Sequence, residues 1–185
     1  MSTRGAFGYR ANEKDYIFYN PSDSYLESLG VQLIDDFLKY PINKNDFLKL
    51  NLIEDEYTDE ALDYGYPSTI HSLIENNSTY FSFESFSNFI YESLYCEYAY
   101  IFNLDTEELE FYAGFNSVDK PYLFGRYADY FSEEDKYLPC YLIYTLKFSD
   151  FKDFDINNVI NIKNQLKQKY LIKIFENILK KLWQS

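Results

Sequence analysis

Residues 97–115 read EYAYIFNLDTEELEFYAGF, and this stretch decides the class of fold. Two runs rich in Tyr, Phe and Ile flank the polar segment LDTEE. This pattern is typical of two strands joined by a tight turn. The stretch therefore predicts a β-hairpin over about 97–113.

Further strands are predicted on both sides of this hairpin. TRGAFGYR and YIFYN are short β-type runs around the polar ANEKD, which predicts a second hairpin over residues 3–20. CYLIYTLKF, residues 140–148, is a near-continuous apolar run and predicts a fifth strand in a central position of the sheet. Strands linked mostly as hairpins indicate a mostly antiparallel sheet. Their poor alternation is consistent with a sheet covered on both faces.

Helical periodicity fills the segments between and after the strands. NPSDSY, residues 20–25, breaks the β pattern, and Ser22 or Asp23 is expected to cap the next helix, which Pro41 ends. The apolar face of that helix comprises Leu26, Leu29, Leu33, Ile34, Phe37 and Leu38. Shorter helices are predicted over NKNDFLKLNLI (43–53) and STIHSLIENN (68–77), and in the segment after Ser82.

The C-terminal segment predicts a long amphipathic helix that begins at about Asn157. Its apolar stripe comprises Val159, Ile162, Leu166, Tyr170, Ile174, Ile178 and Leu182. Together the elements predict a single α+β domain over residues 1–185, in which helices cover a mostly antiparallel sheet of about five strands.

Composition limits the class of protein. Hydrophobic residues make up 46% of the 185 residues, which indicates a packed globule rather than a disordered chain. The net charge is −13, but residues 157–185 carry six Lys and one acid, so the preceding body is more acidic still. Such a body repels nucleic acid, and it can compete with nucleic acid for a basic protein groove.

The aromatic content of 21%, with 21 Tyr and 17 Phe, has two possible origins. AT-rich codons favour Tyr, Phe, Asn, Lys and Ile. Alternatively, tyrosine-rich surfaces are good interaction faces, because the ring is large, stiff and polar at one end. The sequence leaves both explanations open.

Several kinds of site and location are not expected. Cys96 and Cys140 fit no ligand spacing, and with one His in the chain we expect two buried free thiols and no metal or other cofactor. No Gly-rich phosphate loop is present. No leader pattern opens the chain and no apolar run approaches the length of a membrane span, so we expect a cytoplasmic protein.

Ser2 provides one catalytic hypothesis. Removal of Met1 would leave an N-terminal Ser, which can act as a nucleophile with its own amine as the base. In such a hydrolase Arg4, Asn20 and Asp23 would arrange the substrate. No other catalytic constellation is evident, so the sequence favours a protein that is not an enzyme.

The arginines provide a binding hypothesis. Lys outnumbers Arg 14 to 3, so the three that are present are candidates for the planar, bidentate fork that Lys lacks. Arg4 and Arg10 flank the first strand and Arg126 lies in LFGRYAD. They either tie acidic loops, such as those of Asp23 or Asp129, to the sheet or gather a small anionic ligand or partner. The predicted binding residues are Arg4, Arg10, Asp23, Ser24, Tyr25 and Arg126.

MSTRGAFGYR, IFYNPSDSYLESLG, YAYIFNLDTEELEFYAGFN and GRYAD together resemble an uncharacterised protein family found in phages, bacteria and some fungi. The family has no known activity. The resemblance implies a shared site among Thr3, Arg4, Gly5, Asn20, Asp23, Ser24, Tyr25, Asn103, Asp105, Gly114, Phe115, Gly125 and Arg126. The chain departs from the family at NEKD, where relatives have a Gly in the first turn, and at Pro21, where they have an aromatic residue or His.

The sequence therefore favours an acidic interaction protein of the phage or mobile-element type. It would bind and inhibit a host factor with a basic surface, such as a nucleic-acid-binding defence nuclease, in the manner of anti-CRISPR proteins, without contacting nucleic acid or membrane. The alternatives are a small hydrolase that uses Ser2 and a protein that binds a small anionic ligand.

Overall fold

The computed structural model describes residues 3–50, 52–55, 81–84, 87–117, 122, 124–128, 130 and 136–166. They form a mixed α+β fold around one sheet. The described strands are β1 (Gly5–Ala11), β2 (Lys14–Asn20), β3 (Leu52–Asp55), β4 (Phe81–Glu84), β5 (Tyr98–Asn103), β6 (Glu108–Ala113) and β7 (Tyr141–Lys147). Their order across the sheet is β3-β4-β2-β1-β5-β6-β7.

The five predicted strands are the consecutive strands β2-β1-β5-β6-β7, and both predicted hairpins form. The two extra strands, β3 and β4, lie where the sequence predicts the end of one helix and the start of another. Most strand pairs of the described sheet are antiparallel, as predicted, but the sheet is mixed, because β1 pairs with β5 and β3 pairs with β4 in parallel. β7 is the last strand in this order, not a central one. Its apolar run reflects cover on both faces, since Ile143 belongs to the core of one face and Leu142 packs against the apolar cluster of the other.

The described helical segments are a π-helical turn (Leu26–Gly30), α1 (Val31–Lys39), α2 (Lys44–Phe47), α3 (Ser87–Tyr91), a 3-10 helix (Phe148–Asp153) and α4 over residues 156–166. α1 ends before Pro41, as predicted. The predicted cap is wrong: no side chain caps the π-helical turn, and Asp23 uses its backbone carbonyl to accept from Leu29 N–H. Of the long C-terminal helix, residues beyond 166 lie outside the described residues, and that part stays a prediction.

Both faces of the sheet are covered. On the first face, Phe7, Tyr9 and Phe102 belong to a large core that includes Leu33 and Phe37 of α1. The second face carries a smaller apolar cluster with Ile90 of α3 and two buried free thiols, as predicted. These thiols belong to Cys96 and Cys140, and burial raises the pKa of Cys96.

The parallel pairing of β1 with β5 places the β1–β2 turn and the β5–β6 turn at the same end of the sheet, which we call the turn end. Asn12 and Glu13 form the first turn with positive φ angles of 51° and 63°, as a two-residue type I′ turn requires. Their N–H groups donate to the Asp105 carboxylate over 3.0 and 2.9 Å, and Lys44 Nζ lies 2.7 Å from it. Asp105 therefore joins the two turns to α2.

We expect Asp105→Asn to lower the free energy of unfolding above pH 4 by at most about 1 kcal/mol, because solvent screens so exposed a pair. Burial alone would raise the pKa of Asp105, but the bonds from Lys44 and from the Glu13 and Asn12 N–H groups lower it to about 2. Because the pKa is lower in the folded state, the ionised carboxylate stabilises the fold at pH values above the unfolded-state pKa of about 3.9. This contribution is lost as the pH falls towards about 2.

Urea unfolding of the wild type and the Asp105→Asn variant from pH 7 to pH 2 measures this difference. The exposed carboxylate of α1 provides the control, Asp35→Asn. A difference between wild type and Asp105→Asn that stays constant across the acid range would contradict the assignment.

Candidate functional site

The segment Asn20–Tyr25 forms a corner between β2 and the π-helical turn. Asn20 Nδ2 donates to Ser24 Oγ over 2.7 Å and also to the Ser22 carbonyl. Ser24 N–H donates to the Thr3 carbonyl over 3.1 Å, and the Ser24 side chain is fully buried. Asp23 adopts a left-handed φ of 54° within this corner. The side chains of Asn20 and Ser24 are therefore bonded to each other and hold the corner together.

Gly5 belongs to the same corner. A Cβ at this position would lie 2.4 Å from the Tyr98 carbonyl oxygen and 2.7 Å from Ser24 Oγ, so a side chain cannot fit. Tyr100 Oη also donates to the Ser24 carbonyl over 2.8 Å. The Thr-Arg-Gly and Asp-Ser-Tyr motifs therefore pack directly against each other.

Ser2 lies outside the described residues, so the catalytic hypothesis stays a prediction. Of its expected substrate-arranging residues, Asn20 is bonded within the corner, and Arg4 stacks on an aromatic ring as described below.

Arg10 and Arg126 meet on the second face of the sheet, in a cluster that we call the arginine network: Arg10, Asp15, Glu110 and Arg126. Arg126 donates to Asp15 from Nη2 over 2.8 Å and from Nε over 3.3 Å, a bidentate contact. Its Nη1 donates to Glu110 Oε2. Arg10 Nη1 lies 3.2 Å from Asp15 Oδ2. The cluster holds two positive and two negative charges.

Two tyrosine hydroxyls complete the hydrogen bonding of these carboxylates. Tyr127 Oη donates to Asp15 over 2.9 Å, and Tyr112 Oη donates to Glu110 over 2.8 Å. Burial raises the pKa of both phenols, so they remain protonated donors. The Arg126 guanidinium also lies 4.7 Å from the Tyr127 ring centroid, within cation–π distance.

Asn103 connects the network to the β5–β6 turn. Its Nδ2 donates to Glu110 Oε1 over 2.9 Å, and its Oδ1 accepts from the N–H groups of Asp105 and Thr106. The Asn-Leu-Asp motif thus orders both a turn and a buried carboxylate. Burying charges is tolerated only when they are paired and hydrogen-bonded, and this arrangement meets that condition.

Arg4 does not join the other two arginines. It lies six residues before Arg10 on an extended chain, about 20 Å away. The Arg4 guanidinium lies 5.0 Å from the Tyr95 ring centroid, and the Arg4 backbone N–H donates to Glu97 Oε1 over 3.3 Å. The structure thus brings together two of the three arginines that were expected to gather an anion, and both face carboxylates.

A cavity of about 340 Å³ opens at the turn end. Ile42, Leu104 and Phe148 contribute apolar walls and Lys44 lies at its margin. The ammonium of Lys44 is paired with Asp105.

The opposite end of the sheet carries exposed aromatic side chains among acids. We call this surface the acidic–aromatic end: Tyr25, Tyr95, Phe115, Glu27, Glu92 and Glu97. Tyr25, Tyr95 and Phe115 are 44%, 45% and 59% exposed. The Tyr25 and Tyr98 rings lie 6.3 Å apart. Burial raises the pKa of Tyr98, and the neighbouring Glu27 and Glu97 carboxylates raise it further. The predicted residues Arg4, Asp23 and Tyr25 lie at this end.

Phe115 has an unusual backbone. Its φ of 56° is left-handed, which costs a bulky residue of order 1 kcal/mol. The preceding Gly114 is required, since a Cβ there would lie 1.9 Å from the Cys96 carbonyl oxygen. Phe115 N–H donates to the Ser93 carbonyl over 2.7 Å, which holds the strained residue in place.

Sequence reasoning found both arginines of the network but missed their partners. A two-residue turn at Asn12 and Glu13 places Asp15 opposite Arg10, so a correct assignment of this turn would have identified the pair. Glu110 is a lone acid inside the apolar strand LEFYA, and an isolated charge in a buried strand indicates a buried partner. Tyr112 and Tyr127 could not be singled out from the sequence, because the chain contains 21 tyrosines.

No family model, curated protein sequence or solved structure matches the chain. The family resemblance therefore depends on its motifs alone. Among the described residues, no cluster of His, Cys, Asp or Glu could hold a metal ion. Within that same part of the chain, no helix has the length and apolar character that crossing a membrane requires.

We expect Arg126→Lys to lower the free energy of unfolding by about 2–4 kcal/mol, because an ammonium cannot replace the bidentate fork and leaves a buried carboxylate oxygen without its donor. The matched control is Arg4→Lys, which alters a single ring contact and should cost at most about 1 kcal/mol.

Urea unfolding followed by circular dichroism measures both variants. Equal losses for the two substitutions would show that the arginine network does not need the guanidinium geometry.

Proposed function

We propose that the protein is an acidic interaction protein that binds a basic surface of a host protein and blocks that protein's nucleic-acid binding. In this proposal it is of the phage or mobile-element type and acts in the host cytoplasm, in the manner of anti-CRISPR proteins. A defence nuclease is the class of partner that fits best.

The observation that carries the proposal is that the arginines of the network are paired with carboxylates of the same chain. Arg10 and Arg126 are neutralised by Asp15 and Glu110 within the fold. Lys44 is likewise paired with Asp105, and Lys49 with Asp46. With a net charge of −13, many carboxylates are left to face solvent. This favours a partner of opposite charge.

Exposed aromatic rings add the second requirement of a protein interface. Tyr and Phe side chains supply large, stiff contact area, and interfaces depend on such anchors more than on total area. The acidic–aromatic end combines exposed rings with carboxylates on one surface. Exposed aromatic side chains gathered among carboxylates at one end of the sheet are typical of a protein-interaction surface.

The inhibition would be competitive. A basic groove gains much of its affinity for nucleic acid by releasing counterions from phosphates, and protein carboxylates can occupy the same cations. An acidic body that fills the groove would therefore exclude the nucleic acid without any chemical step.

The test begins with tagged protein as bait in a nuclease-treated host lysate, eluted with a salt gradient. We expect a nucleic-acid-binding protein to elute at raised salt, because charge pairs at an interface weaken with ionic strength. The purified partner is then titrated with labelled DNA. Added bait should raise its apparent Kd for DNA in proportion to bait concentration.

Two results would contradict the proposal. One is a partner whose DNA affinity does not change at saturating bait. The other is a bait that retains no basic protein at physiological salt while its circular dichroism shows an intact fold.

A further inference from the structure

We propose that the acidic–aromatic end is a docking surface for arginine side chains of a partner protein. This inference rests on the proposed function, because it names the surface that meets the basic partner. It goes beyond that function by specifying which cation is recognised and which residues recognise it.

The fold itself places cations on the tyrosines of this end. The Arg4 guanidinium lies 5.0 Å from the Tyr95 ring centroid, and Lys163 Nζ lies 4.0 Å from the ring centroid of Tyr98. A cation over an aromatic face at these distances is attracted by the ring quadrupole. Tyr95 remains 45% exposed despite the Arg4 contact, so part of its surface is open to a second cation.

The charges around these rings fit a cation and oppose an anion. Glu27 and Glu92 are exposed. Glu97 is partly exposed and accepts from the backbone N–H of Arg4. Glu27 and Glu97 both lie near enough to Tyr98 to raise its pKa. Carboxylates beside aromatic faces match the two ways in which a guanidinium binds, bidentate pairing and stacking. An ammonium can do neither as well.

Phe115 supplies the apolar anchor. It is 59% exposed and holds a left-handed φ of 56°, a conformation that Gly or Asn adopts far more readily. A ring so exposed stabilises the folded chain little, and its backbone destabilises it. Backbone strain that is not offset by burial of the side chain is often found at functional positions. Contact with a partner explains why a Phe is present here.

The experiment follows from this conflict between stability and binding. We expect Phe115→Asn to raise the urea midpoint of unfolding, because Asn tolerates the left-handed backbone. The same variant should lose affinity by at least about tenfold for a fluorescent peptide of alternating arginine and glycine, as removal of an anchor residue does.

The matched control is Tyr40→Asn. Tyr40 is 40% exposed and lies towards the opposite end of the sheet, where it follows α1 and precedes the α2 lysine that binds Asp105. We expect this variant to keep wild-type affinity for the peptide. Tyr25→Leu provides a second test of the surface and should weaken binding, whatever happens to the folding of Phe115→Asn.

The outcomes separate the two proposals. A second peptide, of alternating lysine and glycine, tests the arginine preference. If wild-type protein binds both peptides equally well, the arginine preference is overturned and the proposed function stands. Arginine binding that survives both Phe115→Asn and Tyr25→Leu places the contact elsewhere and overturns this inference alone. Failure of wild type to bind either peptide at physiological salt counts against both.

Discussion

The parallel pairing of β1 with β5 is the contact on which the rest of the described structure depends. Each hairpin folds around its own turn, but this pairing joins the two hairpins into one sheet. It places both turns at one end, where Asp105 can bond to the β1–β2 turn. It also sets Arg10 beside Asn103, so that the arginine network and the Asn103 side chain that bonds to Glu110 share one face. A shift of one residue in this pairing would move those side chains to the opposite face.

The arginine network explains how a strongly acidic chain uses scarce arginines. Arg126 alone contacts two carboxylates and two phenols, which joins an irregular loop to two strands, β2 and β6. A lysine could carry the charge but could not make this set of bonds. Arg10 and Arg126 are therefore neutralised within the fold, and the outer surface keeps its negative charge. The same arrangement that stabilises the sheet thus leaves the net negative charge free to meet the basic partner that we propose.

Sequence reasoning located much of the candidate site but assigned its residues to the wrong neighbours. The arginines were expected to tie acidic loops such as that of Asp23 to the sheet, yet Arg10 pairs with Asp15, while Asn20 and Ser24 hold the Asp23 corner. Tyr25 was predicted as a binding residue and is exposed, but nothing in its sequence context indicated that Tyr95 and Phe115 share its end of the sheet. These residues come from three separate segments, and only long-range strand pairing brings those segments together.

By itself the sequence determined what depends on neighbouring residues: the two hairpins, the buried face of α1, its end before Pro41 and the acidic charge of the body. Each of these follows from turn chemistry, periodicity or composition within a short window. The tertiary structure alone decided that the hairpins join in parallel, which carboxylates meet the arginines and that Phe115 is exposed on a strained backbone. The physical reason is that strand pairing is satisfied equally well by many partners in the isolated chain, and the choice among them is made when both faces of the sheet are packed at once.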